Sequence, residues 1–230
     1  MDKDKVIQGW NAAARSYTEA GETSRYSLFC REFAAKYFQN ISGLKVLDAG
    51  CGSGEYTHIL SQNDGVVTGC DASVEMLNIA REKYPLYKYD LVNLLGKMPY
   101  DDNSFDIVFC NLVLMDIDPI NNAISEFHRI LKDKGRLFFS ICHPAFYLSN
   151  WEIDEQGLVL SKKVSQYITP VSEQQTFWGS TMHYHRPISY YFNNLADAGF
   201  VFRKMFEPKV YDETRIPDIP LYLFAELLKM

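Results

Sequence analysis

The sequence predicts a doubly wound α/β fold, a mostly parallel sheet with helices on both faces. Three observations carry this expectation. Short apolar runs alternate with amphipathic helical segments through much of the chain, the pattern of parallel strands joined by right-handed crossovers. The first run, Leu44-Lys-Val-Leu-Asp48, stops at the glycine cluster Gly50-Cys-Gly-Ser-Gly54. Four runs end on polar residues, Asp48, Asp71, Asp90 and Asn111. In an open parallel sheet these polar groups gather along the carboxyl edge, where ligands bind.

The first forty residues read as helical, with Trp10, Ala13, Ala14 and Tyr17, then Phe29, Phe33, Tyr37 and Phe38, at helical spacing. After the first strand and its glycines, Glu55 to Gln62 forms a helix and Val66 to Cys70 a second strand closed by Asp71. Ser73 caps the next helix, with Glu75 in its first turn, and Pro85 stops it after about Lys83. Leu86 to Tyr89 is a short third strand ending at Asp90, and Phe105 to Cys110 a fourth ending at Asn111. Pro119 opens a helix through Leu131 that buries Ile120, Ala123, Ile124, Phe127 and Ile130. Lys132 to Arg136 reads as its solvated end, closed by Gly135, before a fifth strand over residues 136–141. Asp116 either faces the reacting group of a bound ligand or caps that helix, the cap being the preferred reading, with Leu114 and Met115 packing.

Residues 144–187 break the rhythm with a run of aromatics and no helical period, and Asp154 to Gly157 reads as a turn between two strands. A helix follows Pro187, Gly199 caps it, and Phe200 to Phe206 and Leu221 to Leu228 are the last strands. The expected division is one domain: a helical cap (1–43), a ligand-binding core (44–143), an inserted aromatic-rich lobe (144–187), and a closing helix with two strands (188–230).

Composition narrows the function. At 230 residues, 47% hydrophobic and 23% charged, the chain has the balance of a globular protein. Neither a long uncharged apolar run nor a signal core after Met1-Asp-Lys-Asp-Lys5 is seen, so a cytoplasmic protein without membrane spans is expected. Five widely spaced cysteines read as free thiols, Cys70 and Cys110 as small core hydrophobes. The net charge of −6 and the lack of a basic stripe argue against nucleic acid as partner and for a small or neutral one. His183 and His185 would share a strand face, but no third ligand accompanies them and no metal is expected.

The glycine loop suits some ligands better than others. A dinucleotide fingerprint needs glycine or alanine where Glu55 stands, and a Walker lysine is missing. Asp48, just before the glycines, suits a ligand with a positive ammonium rather than a pyrophosphate. Asp71 falls where ribose hydroxyls would sit, with Asp90 further out near the base.

The segment Val46-Leu-Asp-Ala-Gly-Cys-Gly-Ser-Gly54 resembles the first motif of the class I S-adenosylmethionine-dependent methyltransferases, of the small-molecule, methyltransferase-11-like type. Asp71 resembles that family's ribose-holding acid, and Asp90-Leu91 its adenine-flanking pair. Residues 104–114 and 128–136 resemble its fourth-strand and helix-to-fifth-strand segments. The similarity covers about residues 44–143 and, more loosely, 188–228. It implies a seven-stranded sheet in the order 3-2-1-4-5-7-6 with strand seven antiparallel. It also implies S-adenosyl-L-methionine as cofactor and S-adenosyl-L-homocysteine as product. The cofactor positions implied are Tyr17, Asp48, Ala49, Gly50, Cys51, Gly52, Gly54, Asp71, Ala72, Met76, Asp90, Leu91, Asn111 and Leu112. The acceptor would be a small molecule, methylated by a monomer or homodimer. An RNA or protein methyltransferase and a catalytically silent cofactor-binding protein are the alternatives. His183, His185 and His143 are the candidate bases, and Arg186 either meets an acidic substrate or braces a loop.

Overall fold

The computed structural model describes residues 3–147, 150–156, 159–210 and 218–230. Helices α1 (Lys3–Thr23) and α2 (Arg25–Tyr37) lead into β1 (Lys45–Ala49), α3 (Glu55–Gln62), β2 (Val66–Asp71), α4 (Val74–Lys83) and β3 (Lys88–Leu91). Then come β4 (Phe105–Asn111), α5 (Asn121–Ile130) and β5 (Leu131–Cys142). Two antiparallel hairpins follow, β6 (Asn150–Ile153) with β7 (Val159–Lys163) and β8 (Val171–Gln175) with β9 (Thr181–His185). Helix α6 (Ile188–Asp197), β10 (Phe200–Phe206) and β11 (Tyr222–Lys229) close the chain.

The main sheet runs β10-β11-β5-β4-β1-β2-β3. Strand β11 is antiparallel to both neighbours, and the other pairings are parallel. Counting β10 and β11 as the sheet's sixth and seventh strands, this is the order 3-2-1-4-5-7-6. Chain order reverses between β1 and β4, so their carboxyl ends lie side by side at the switch point. That is where an open α/β sheet leaves a crevice.

The strands read as continuous apolar runs because both faces of the sheet are covered. On one face Val46, Ile107, Phe109, Phe138 and Phe224 pack against Cys30 and Ala34 of α2 and the adjoining Phe38. On the other, Leu47, Val108, Cys110, Leu137 and Phe139 pack beneath Phe127 of α5 and Tyr191 and Leu195 of α6. Ser73 caps α4 by accepting a hydrogen bond from the Met76 amide at 3.2 Å. The five cysteines are free, and no described helix is long and apolar enough to cross a membrane.

The structure differs from the sequence reading in three places. Strand β3 begins two residues late: Leu86 is 92% exposed, and pairing starts at Thr68 with Lys88. Helix α5 begins at Asn121 and ends at Ile130, because Leu131 is already extended (φ −69°, ψ 141°). The charged run after it is therefore no helix end. Leu131 pairs with Phe105 and Arg136 with Ile107, so residues 132–135 bulge out opposite Asp106. Lys134 is left-handed in that bulge, and Lys132 meets Asp106 at 2.7 Å. Residues Glu155 and Gln156 form a turn after β6; Gly157 lies outside the described residues.

Candidate active site

The ligand cleft is assembled from the ends of β1 and β4. Gly50, Gly52 and Gly54 all have positive φ (77°, 52° and 87°). The loop thus doubles back after β1, with the Gly50 and Cys51 amides donating to the Cys70 carbonyl at 2.7 and 2.9 Å. A side chain at Gly52 would meet only Met76 Sδ at 3.8 Å, so this glycine faces open space. Glu55, where a dinucleotide site needs a small residue, takes hydrogen bonds from Ser53 and Lys83 at 2.7 and 2.8 Å. These hold its carboxyl below the usual range although burial pushes it up.

The cleft has two contiguous lobes, with empty volumes of about 800 and 580 Å³. Tyr17, Gly50, Gly52, Asn111 and Leu112 line both. The larger adds Asp71, Ala72, Ser73, Met76, residues 93–95, Val113, Asp116 and Ile117 beneath Val6, Ile7 and Trp10 of α1. The smaller adds Arg31, Cys51, Ser53, Glu55, Tyr56 and Tyr222 among others. Asp71 accepts hydrogen bonds from the Gly52 and Ser73 amides at 3.0 and 2.8 Å, which fixes its carboxylate at the rim of the loop. Burial raises its carboxyl and those amides pull it back.

Asp48 lies beneath the loop, 1% exposed, and accepts a hydrogen bond from the Thr57 hydroxyl at 2.7 Å. Burial pushes its carboxyl up to about 7, with the Thr57 hydrogen bond opposing. A carboxyl raised in the fold holds its proton more tightly folded than unfolded. Its stability contribution is therefore fully present at low pH and is lost as pH rises from the unfolded carboxylate range toward 7. Asp48→Asn is expected to flatten this loss, by a few kcal/mol at about 1.4 kcal/mol per unit. Denaturant titrations of ligand-free protein at about pH 4 and about pH 7 would check it; parallel behaviour of variant and parent would refute it.

The roof comes from α1 and from the inserted lobe. Tyr17 of α1 packs edge-on between Trp10 and Trp178, with ring centroids 5.3 and 5.4 Å apart. The Ser16 hydroxyl donates to the Trp178 carbonyl at 2.5 Å. Gly9 permits the contact with the inserted lobe, since a Cβ there would sit 2.3 Å from the Ser180 carbonyl oxygen. Burial raises the Tyr17 hydroxyl, so this ring is a neutral wall. Arg186, 3% exposed, donates to the carbonyls of Leu114 and Ile117 at 3.0 and 2.7 Å and to Asp118 at 2.8 Å. It braces the turn after β4 and has no reach left for a substrate.

A methyltransferase-domain family model matches residues 47–139, the stretch that builds the glycine loop, Asp71 and Asn111. Over this stretch the chain is similar to the methyltransferase-domain family. It is 33% identical over 139 residues to a malonyl-[acyl-carrier protein] O-methyltransferase of Pectobacterium atrosepticum, covering 60% of this chain and 53% of that protein. A demethylmenaquinone methyltransferase of Chlorobaculum tepidum is 39% identical over 92 residues, 40% of this chain and 38% of the relative. The matched region thus spans about half the length, or less, of these relatives. The fold is shared with an S-adenosylmethionine-dependent methyltransferase from Mesorhizobium loti (TM-score 0.74, 21% identity, 90% of this chain and 99% of that one). It is shared also with the [4+2]-cyclase SpnF (TM-score 0.68, 16% identity, 99% and 96%).

Within this methyltransferase fold, the structure gathers Tyr17, Gly50, Cys51, Gly52, Asp71, Ala72, Met76, Asn111 and Leu112 around the cleft. Asp48, Ala49 and Gly54 support the loop from beneath and do not line it. Asp90 and Leu91 stand outside the lining. Because β3 extends to Leu91, Asp90 is spent on the Tyr100 hydroxyl and Lys88, at 3.2 and 3.1 Å, and Leu91 is 60% exposed. Asn93, Leu94 and Leu95 take that wall instead. Asp116 caps no helix; it faces the larger lobe. Sequence reasoning passed over Arg31 and residues 93–95. A basic residue on the inner face of α2 and the first polar residue beyond β3 were the available signals.

None of the three histidines lines a lobe. The His143 Nδ1 accepts from the Ala145 amide, which leaves Nε2 to donate to Glu207 at 2.7 Å. His185 Nε2 donates to the Tyr167 carbonyl at 2.9 Å. His183 packs on Tyr147 with centroids 4.2 Å apart, its Nδ1 lying 3.9 Å from Asp116 Oδ1. Burial depresses the His183 imidazole to about 4. Among the described residues no group of three or more metal-ligating side chains occurs.

Proposed function

We propose that the protein is an S-adenosylmethionine-dependent methyltransferase acting on a small acceptor with an apolar body. The carrying observation is the two-lobed cleft at the carboxyl ends of β1 and β4 under an apolar roof. The residues present fit the cofactor: Gly52 opens onto free space, Asp71 offers a carboxylate to two hydroxyls, and Arg31 offers a cation to a carboxylate. Met76 and residues 93–95 would flank the base. When bound, the cofactor supplies an electrophilic methyl group on a sulfonium. The chain's own part is to align the two reactants and exclude water, for which Trp10 and Tyr17 serve as walls, with Trp178 packed against Tyr17 behind them.

The lining also speaks to the acceptor. Around Val113 and Ile117 the wall is apolar, and its one ionisable group is the acid Asp116. Arg31, in the other lobe, is the sole Lys or Arg among the described lining residues. A nucleic acid would need a basic groove, and an acidic acceptor would need a cation where Asp116 stands. The named substrate of the acyl-carrier-protein relatives, a malonyl group, is acidic, so a neutral or cationic acceptor is the better fit here.

Isothermal titration with S-adenosylhomocysteine tests the cofactor half. Binding is expected in the wild type, and Asp71→Ala is expected to weaken it about 10- to 100-fold, from lost charge-assisted hydrogen bonds. Undetectable wild-type binding at high micromolar ligand would remove the proposal. A labelled-methyl assay on fractionated extracts tests the acceptor half; label confined to RNA or protein would overturn the small-molecule reading.

A further inference from the structure

We propose that Asp116 is the proton acceptor of the transfer reaction. This rests on the methyltransferase reading above and assigns the role to a residue outside the glycine loop and strand ends. The turn after β4 carries Asp116 into the larger lobe beside Asn111, Leu112 and Tyr17, where an acceptor must lie to face the cofactor's methyl group. The carboxylate is 15% exposed, and no described residue lies within hydrogen-bond distance of it. His183 is its nearest recorded polar neighbour, at 3.9 Å. An acid left without hydrogen bonds at a cavity wall is poised to take a bond from whatever enters.

The surrounding groups leave it no rival. Tyr17 of α1, Cys142 of β5, Tyr147 and Tyr184 all interact with its charge, as do Cys110 of β4 and Tyr191 of α6. Burial raises every one of these hydroxyls and thiols, so they stay neutral near pH 7, and His183, whose imidazole burial depresses, lines neither lobe. Among the described residues Arg186 is the one permanent charge acting on Asp116, and it is committed to Leu114, Ile117 and Asp118. Burial holds the Asp116 carboxyl well above the usual range, with Arg186 opposing. A cationic ligand in the lobe pulls in the opposite direction and favours the carboxylate.

The step balances in atoms and charge. The acceptor's X–H bond breaks, and its electron pair forms the X–CH3 bond. The S–CH3 bond breaks, leaving its pair on sulfur. The proton goes to Asp116, so the sulfonium's positive charge and the carboxylate's negative charge vanish together. A buried site of low polarity favours that outcome, since two opposite charges are removed and neither product is an ion.

The test needs no acceptor. Titrations of S-adenosylmethionine and S-adenosylhomocysteine, each in two buffers of different ionisation enthalpy at neutral pH, measure protons released on binding. The cationic ligand is expected to release a larger fraction of a proton, at most about one, than the neutral one. Asp71 faces a part common to both ligands and Asp48 lies beneath the loop in both complexes, so their contributions cancel in the comparison. Asp116→Asn is expected to abolish the difference, to weaken S-adenosylmethionine about tenfold, and to leave S-adenosylhomocysteine unchanged. Equal proton release in the wild type, or a difference that survives in Asp116→Asn, overturns the assignment. Binding of neither ligand by the wild type would instead defeat the methyltransferase reading.

Discussion

Gly50→Ala is expected to cost about 2–5 kcal/mol and to lower S-adenosylhomocysteine affinity by at least roughly 100-fold. Two costs combine at this position. Its φ of 77° strains any residue with a Cβ, and that Cβ would sit 2.4 Å from Val113 Cγ2 and 3.0 Å from Cγ1. Neither side can give easily. Val113 is β-branched and packs against the core, while the Gly50 amide is pinned to the Cys70 carbonyl at 2.7 Å. Gly43 separates the two costs, having a similar φ of 71° but nothing within 4 Å of an added Cβ. Gly43→Ala should therefore cost only about 1–2 kcal/mol and leave ligand affinity untouched. Denaturant melts and titrations on both variants would decide; a Gly50→Ala protein no worse than Gly43→Ala would show that the loop yields.

Arg186→Met should lower stability by about 3–5 kcal/mol, roughly 10 °C in melting temperature. Methionine restores much of the volume but donates no hydrogen bond, so the Leu114 and Ile117 carbonyls and Asp118 all lose their partner. The guanidinium also lies over the Tyr184 and Tyr190 rings, 5.1 and 5.3 Å from their centroids. Lysine keeps the charge but lacks the planar fork that reaches three acceptors, so Arg186→Lys should recover less than half of the loss. Hydrogen exchange supplies the local readout, with amides of residues 113–118 expected to exchange faster in Arg186→Met. Scanning calorimetry showing an unchanged melting temperature would mean that these buried bonds contribute nothing net.

Arg186 also shows why sequence reading stops where it does. From sequence it was as good a partner for an acidic substrate as for a loop. Its position after β9 says nothing about the turn after β4, some seventy residues earlier, that it holds. At Asp116 the preferred reading gave way to its alternative for a related reason. A polar residue shortly before Pro119 looks like a cap, but the helix waits until Asn121 and the side chain turns into the cleft. At Asp90 the difference is one of register: β3 runs two residues later than expected, and residues 93–95 line the cleft beyond it.

What the sequence determined by itself was the strand-and-helix alternation, the glycine loop and the strand ends beside it. Those features are local: apolar periodicity, helix caps and strand-end residues act within a few positions of one another, and parallel pairing then stacks the strand ends. Tertiary structure alone decided the roof, the second lobe with Arg31, and the wall of the larger lobe with Asp116. Each depends on segments far apart in the chain meeting at one edge of the sheet, as Gly9 meets Ser180 and Arg186 meets Leu114. Side-chain packing sets such meetings, and no local pattern encodes it.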